Sequence, residues 1–449
     1  RVEFHEVTRR AILEALRNPR NLNTNLVEAQ MLRRILDRWI GFELSRLLWK
    51  VYRRNWLGAG RVQTPVLGWI IDRYGEWKEG RGFIVAAKMP GGGAVKIFVE
   101  ARDEAEKIAG MLSEHGLRII ESEKTAKEIP PPPPFTTDSL LFEASVRLGF
   151  TASKAMRIAQ ELFESGLITY HRTDSVYVSP VGREIARSYL EGKGLGELFA
   201  PRSWGKEGAH ESIRPTRPVD ASELRRLILD GSIKVSAKMT ESHYKLYDLV
   251  FRRFIASQMK GALVRHARII LSAGDRRVEV EGYDEVLRQG FTALWPPKTS
   301  PWMREAAPGA VIKPQEIRVY RGSKTRLYLH GDIIRLMRDR GIGRPSTYAK
   351  ILSSLRRHGY IIESAKRKYV VPTKMGIKVH AYLREAAPGL VSEDTTRLLE
   401  ERMRLVEQGR EKLYNMLIEA ESMVRGVVEA ALATMPGSGE GSEAKAENT

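Results

Sequence analysis

"GLITYHRTDS" (residues 166–175) is a short apolar run that ends on Tyr170 and passes at once into His171, Arg172, Thr173, Asp174 and Ser175. It is either a strand reaching a polar turn or a nucleophile delivered to a phosphate. A phenol with a pKa near 10 is only about one part in a thousand ionised at pH 7, so nucleophilic use needs roughly 4 kcal/mol of help from a base, cations or a metal. In an extended segment Arg172 shares a face with Tyr170, where a guanidinium can brace a phosphate oxygen while the phenolate attacks phosphorus. The product would be a phosphotyrosyl ester, which keeps the energy of the broken bond and lets it be remade. Taken alone, the pair reads as a strand-end aromatic beside an exposed arginine, so the rest of the chain must decide.

The 449 residues suffice for two to four domains with sizeable cores. A formal charge of +19 favours polyanionic partners, chiefly nucleic acid rather than a membrane surface, since no basic amphipathic anchor stands out. No run approaches the roughly 18 apolar residues of a membrane span and no signal-peptide pattern opens the chain, so a soluble, cytoplasmic protein is expected. The absence of cysteine excludes disulfides, thiolate zinc ribbons and cysteine nucleophiles within this chain. Abundant arginine, scarce glutamine and absent cysteine lean toward a thermophilic source. Arg1 opens inside what reads as a folded element, so a piece of a larger protein is expected.

From Leu26 to Tyr52, Leu32, Ile35, Leu36, Trp39, Ile40, Leu47, Leu48 and Val51 recur at helical spacing, with Arg33, Arg34, Asp37 and Arg38 opposite: a long helix with a basic side. Strand-like pieces follow around the Gly91-Gly92-Gly93 turn. Pro130 to Pro134 then make a semi-rigid strut of about 15 Å and mark a boundary. Residues 137–148 and 151–164 read as two helices parted by Gly149, and the chain turns at Gly166 into "LITY", the order of a winged-helix module. Residues 165–182 can be laid on 358–376, each entering a strand after a glycine and returning through Tyr-Val-x-Pro, with Glu363 where the first copy has Tyr170. Residues 261–320 are again strand-like, which predicts one sheet domain built from two separated pieces. The segment from Pro436 has too little apolar content to fold.

Other stretches supply companions for the tyrosine. "EGAHESIRPT" places His210 and Arg214 in a loop, and "GAGRVQTPV" places Arg61 and Gln63 after a Gly-rich turn. "GIGRPSTYAKIL" brings Arg344, with Ser346 and Thr347 as helix-start residues whose free N–H groups suit a phosphate. Singly each has an ordinary reading as a loop residue or a cap.

Together these stretches, with "EFHEVT" (3–8), "EAQMLRRILDRWIGFELSRLLW" (28–49) and "RRFIASQM" (252–259), resemble the type IA DNA topoisomerases over most of the chain, in order and in spacing. His171 after the tyrosine, "RVEFHEVT" and "EGAHESIRPT" look most like the topoisomerase half of a reverse gyrase. The resemblance implies a multi-domain α+β fold, a padlock-shaped toroid with two winged-helix-like modules and a split β arch. It would divide the chain into a DNA-gripping helical domain (1–73 and 324–435), the arch with its strut (74–135 and 239–323), a tyrosine domain (136–238) and a disordered tail (436–449). Tyr170 would cleave one strand and hold its 5′ phosphate beside Arg172 and His210. Arg34, Asp37, Arg38, Arg61, Gln63, Arg344, Ser346 and Thr347 would position single-stranded DNA.

Family members also carry an acidic Toprim domain whose DxDxE cluster binds magnesium, and no DxDxE occurs here. Nor does a GxxxxGK[ST] phosphate loop, so Mg2+ and ATP are both expected to bind to Toprim and helicase parts outside this chain. No metal ligand is assigned within it, and the expected partners are single-stranded and duplex DNA and those missing parts. Two alternatives remain: a fragment of a relaxing type IA enzyme, and a non-catalytic single-strand binder. A tyrosine recombinase fits poorly, because it needs His-x-x-Arg where His210 and Arg214 are spaced His-x-x-x-Arg.

Overall fold

The computed structural model describes residues 1–208, 210–365 and 367–433, so the tail from 436 lies outside the described residues. After α1 (Arg9–Arg17), the expected basic helix is α2 (Thr24–Tyr52), started by the Asn23 side chain accepting from the Leu26 N–H. Its buried stripe is Leu32, Leu36, Ile40, Leu44, Leu47 and Leu48. Ile35 and Val51, counted on that stripe from sequence, are 39% and 38% exposed.

After α3 (Gln63–Glu79) come β1 (Arg81–Lys88), β2 (Ala94–Val99), α4 (Arg102–His115) and β3 (Leu117–Ile129). Beyond the prolines lie α5 (Thr137–Leu148), α6 (Ala152–Glu164), α7 (Pro180–Gly192), α8 (Ala221–Leu229) and α9 (Glu241–Ser257), then β4 (Ala262–Ala273), β5 (Arg276–Arg288), β6 (Val311–Ile312) and β7 (Glu316–Ser323). The strands on either side of the inserted helices form two sheets, ordered β2-β1-β7 and β5-β4-β3-β6. Each joins strands from before and after the inserted helices, through β1 with β7 and β3 with β4. They separate because α4 intervenes between β2 and β3 and packs on strands of both, burying Ala105, Ile108 and Leu112 in a core of its own. Helix α9 packs on α5, α6 and α8, and its Leu246, Val250 and Phe254 belong to the larger core.

The last part contains α10 (His330–Asp339), α11 (Tyr348–Arg357), β8 (Ile361–Glu363), β9 (Val370–Pro372), α12 (Lys374–Ala386), α13 (Pro388–Val391), α14 (Glu393–Glu407) and α15 (Leu413–Ala433). Here β8 and β9 form an antiparallel hairpin. The first copy forms none. Its backbone groups are taken elsewhere: Thr169 N–H donates to the Arg214 carbonyl, Ser212 N–H to that of Tyr177, and the Thr137 hydroxyl to that of His171. Both copies still close alike. Gly166 and Gly359 sit at φ +68° and +66°, and Ser179 and Thr373 each accept from the N–H of a glycine three residues on, Gly182 and Gly376. The copies also meet, α5 against α10 and α6 against α11.

A Cβ built on Gly376 would stand 2.4 Å from the Tyr360 carbonyl oxygen, whereas one on Gly110, inside α4, meets nothing within 4 Å. Gly376→Ala should therefore cost about 1–3 kcal/mol, while Gly110→Ala should gain roughly 0.5–1 kcal/mol. Thermal denaturation of the two variants checks the pair, and equal shifts would contradict the packing.

Candidate nucleic-acid interface and tyrosine site

Tyr170 is half-buried and held from behind, its N–H donating to the His5 carbonyl at 2.7 Å. Its ring meets Phe163 edge-on at 5.3 Å and lies 5.6 Å from the rings of both His171 and His210. His5 in turn stands edge-on to His210 at 5.6 Å. Among the described residues no protein group hydrogen-bonds the Tyr170 hydroxyl. Arg172 does not lie free beside it: the guanidinium donates to the Gln160 side-chain oxygen of α6 at 2.9 Å. His171 is fully buried with neither ring nitrogen partnered, and burial, followed by the charge of Arg172, pushes its pKa down to about 3. Burial and then His5 lower that of His210 as well. Both imidazoles are thus neutral at pH 7.

The segment carrying His5 is fastened to the His210 loop by a buried cluster. Arg214 donates to Glu211 at 2.6 and 2.9 Å, to Glu6 at 3.1 Å and to the Pro215 carbonyl at 3.0 Å. Arg214 is therefore spent on structure. Among the described residues no group of three or more His, Asp or Glu is arranged to hold a metal ion.

The remaining candidates gather around Glu400 of α14. Its carboxylate accepts from Arg33 at 2.5 and 2.9 Å, from Arg61 at 2.9 Å, and from Arg344 at 3.2 Å. Arg61 also donates to Asp37 at 2.6 Å and is itself 2% exposed. Asp37, Arg61, Gln63 and Thr347, with Arg33, Lys350 and Glu400, line one cavity of about 210 Å3. The Gln63 amide donates to the Gly58 carbonyl at 3.2 Å. Arg34, Arg38 and Ser346 are exposed, Arg38 lying 5.2 Å over the Phe42 ring. Helix α11 begins at Tyr348, and the Thr347 hydroxyl is occupied with the backbone N–H and carbonyl of Arg344, leaving the helix start without a side-chain cap. Tyr348 also ties this region to the tyrosine segment: burial, then the charges of Asp138 and Asp174, raise its phenol to about 12.

Glu400 escaped the reading of the sequence. One signal was available, because Glu400 follows Leu399 and stands four residues after buried Thr396 and three before buried Met403, on the inward face of its helix. His5, Glu6 and Glu211 carried no comparable spacing.

A family described as DNA topoisomerase matches residues 21–417. "Reverse gyrase 2" of Aeropyrum pernix is 48% identical over 434 residues, which are 97% of this chain and 35% of that protein. "Reverse gyrase" of Pyrococcus furiosus is 47% identical over 421 residues, 93% of this chain and 34% of the relative. The chain thus spans about a third of the length of the curated relatives it matches. The solved full-length topoisomerase I of Thermotoga maritima superposes with a TM-score of 0.73 at 32% identity, covering 96% of this chain and 73% of that one.

Burial pushes the Glu400 carboxyl up, but the hydrogen bond from Arg33 and the charges of Arg61 and Arg33 outweigh it and hold the group down at about 2. A depressed folded-state pKa contributes stability above the unfolded value near 4.3, lost as pH falls toward 2. The contribution is on the order of 3 kcal/mol. Acid unfolding of the parent between pH 5 and 2 should be steeper than that of Glu400→Gln, and parallel curves would contradict the assignment.

Proposed function

Because the chain belongs to the type IA DNA topoisomerase family and is reverse-gyrase-like, we propose that Tyr170 breaks one DNA strand and carries its 5′ phosphate until the strand is rejoined. The observation that carries this reading is the phenol itself, half-exposed and unengaged, fixed through its backbone and flanked by neutral imidazoles. The phenolic oxygen attacks phosphorus, the bond to the 3′ oxygen breaks, and that oxygen leaves as a hydroxyl after taking a proton from solvent or from an acid outside this chain. The proton shed by Tyr170 passes to His210 or to water; reversal of the same steps reseals the strand. Arg172 braces the phosphate after exchanging its bond to Gln160.

The strand would lie along the exposed arginines of α2, Arg34 and Arg38, and across the cavity lined by Asp37, Gln63 and Thr347, with Ser346 at its edge. Arg61 and Arg344 hold that surface in place from beneath. Residues 1–73 and 324–435 would then form the base of a toroid, the two sheets its arch, and 136–238 the module that swings away to pass a second strand. Magnesium would be held by a Toprim part and ATP by a helicase part lying outside this chain. In the complete assembly the activity would be that of a reverse gyrase, ATP-dependent positive supercoiling. The likeness to a bacterial topoisomerase I favours, as second reading, the tyrosine portion of a relaxing enzyme.

Incubated with single-stranded DNA, magnesium and the missing Toprim part, the chain should yield a covalent adduct that Tyr170→Phe abolishes. An adduct persisting in the mutant would end the assignment. Binding by the chain alone, if about six phosphates are neutralised, should weaken with a log-log salt slope of about −4. A flat response by fluorescence anisotropy would remove the groove.

A further inference from the structure

One carboxylate offers about four lone-pair positions, and at Glu400 they are filled by guanidinium N–H groups from three separate segments: Arg33 on α2, Arg61 in the turn before α3 and Arg344 in the turn before α11. Glu400 is 4% exposed. So saturated, it has no capacity left for acid–base work or for a ligand of its own.

We infer that Glu400 is a positioning residue of the DNA groove, an internal anion that holds three like-charged guanidiniums in fixed orientation and stays bound to them when a strand enters. The inference rests on the groove reading given above. Three cations within reach of one carboxylate repel one another and would part without it, and two of them cannot turn to water, since the side chains of Arg33 and Arg61 are 18% and 2% exposed. Arg61 is clamped further, for its carbonyl accepts from the Thr396 hydroxyl at 2.9 Å while its guanidinium holds Asp37. Through Arg61, therefore, Glu400 sets the direction of the Asp37 carboxylate, whose side chain is 44% exposed at the cavity. Three guanidiniums against the carboxylates of Glu400 and Asp37 leave one positive charge in excess, which keeps the floor attractive to phosphate. A phosphate entering this cavity would have to break buried bonds to displace Glu400, while the exposed Arg34 and Arg38 are open to it without that cost.

The two roles open to Glu400 make opposite predictions for a fluorescent single-stranded oligonucleotide titrated into the whole chain. A positioning role requires Glu400→Gln to weaken binding about tenfold or more despite the added positive charge, with Glu400→Asp recovering most of the loss. A carboxylate that merely competes with phosphate would leave Glu400→Gln binding as tightly as the parent or more tightly, and that result overturns the inference. A parent that fails to bind in a salt-dependent manner would instead remove the groove reading, and this inference with it. Should Glu400→Gln not fold, the unmodified chain decides by NMR of the arginine Nε–H groups. Signals of Arg33, Arg61 and Arg344 that remain slow to exchange at saturating oligonucleotide support the role, and their loss on binding refutes it.

Discussion

The carboxylate of Glu400 joins parts of the chain that are far apart in sequence, Arg33 and Arg61 near the start with Arg344 and α14 near the end. The cavity beside α2 is lined by residues of these same segments. Buried ion clusters are expensive to desolvate and are poor evidence of net stability, yet removing one partner leaves an uncompensated buried charge. What such a cluster contributes is geometry: few arrangements satisfy three planar guanidiniums and one carboxylate at once.

The same device recurs at the tyrosine. Arg214, buried between Glu6 and Glu211, fastens the N-terminal segment to the loop bearing His210, and the residue before Glu6, His5, carries the carbonyl that holds the Tyr170 backbone. In both places buried arginines serve the frame, while Arg34 and Arg38 are exposed. Under the proposed role, a phenol placed in this way before a phosphate arrives would reduce the ordering cost of the encounter. Its immediate surroundings hold neutral imidazoles and one arginine engaged by Gln160.

Local pattern carried much of the architecture. Helix α2, the helices on either side of Gly149 and the strands flanking Gly91–Gly93 all follow from periodicity and turn residues. Where two distant segments compete for the same backbone groups, local pattern fell short: "LITY" has the composition of a hairpin strand, but His5 and the 212–216 loop take its partners. Arg61 shows a second limit. An arginine after a Gly-rich turn reads as a phosphate ligand, and nothing nearby in sequence reveals that its counter-ion lies 339 residues away. Tyr170, Asp37, Gln63 and Thr347 could be named from sequence because their motifs are short and contiguous, and the last three do line one cavity; Glu400, His5 and Glu6 act only through tertiary contact.

Mass spectrometry of the trapped complex, after nuclease and trypsin digestion of the complete enzyme, addresses the central claim most directly. The account predicts a nucleotide 5′-phosphate remnant on the peptide spanning residues 158–172, localised by fragmentation to Tyr170. A remnant on any other residue, or a complex that cleaves DNA without leaving one on protein, would contradict it.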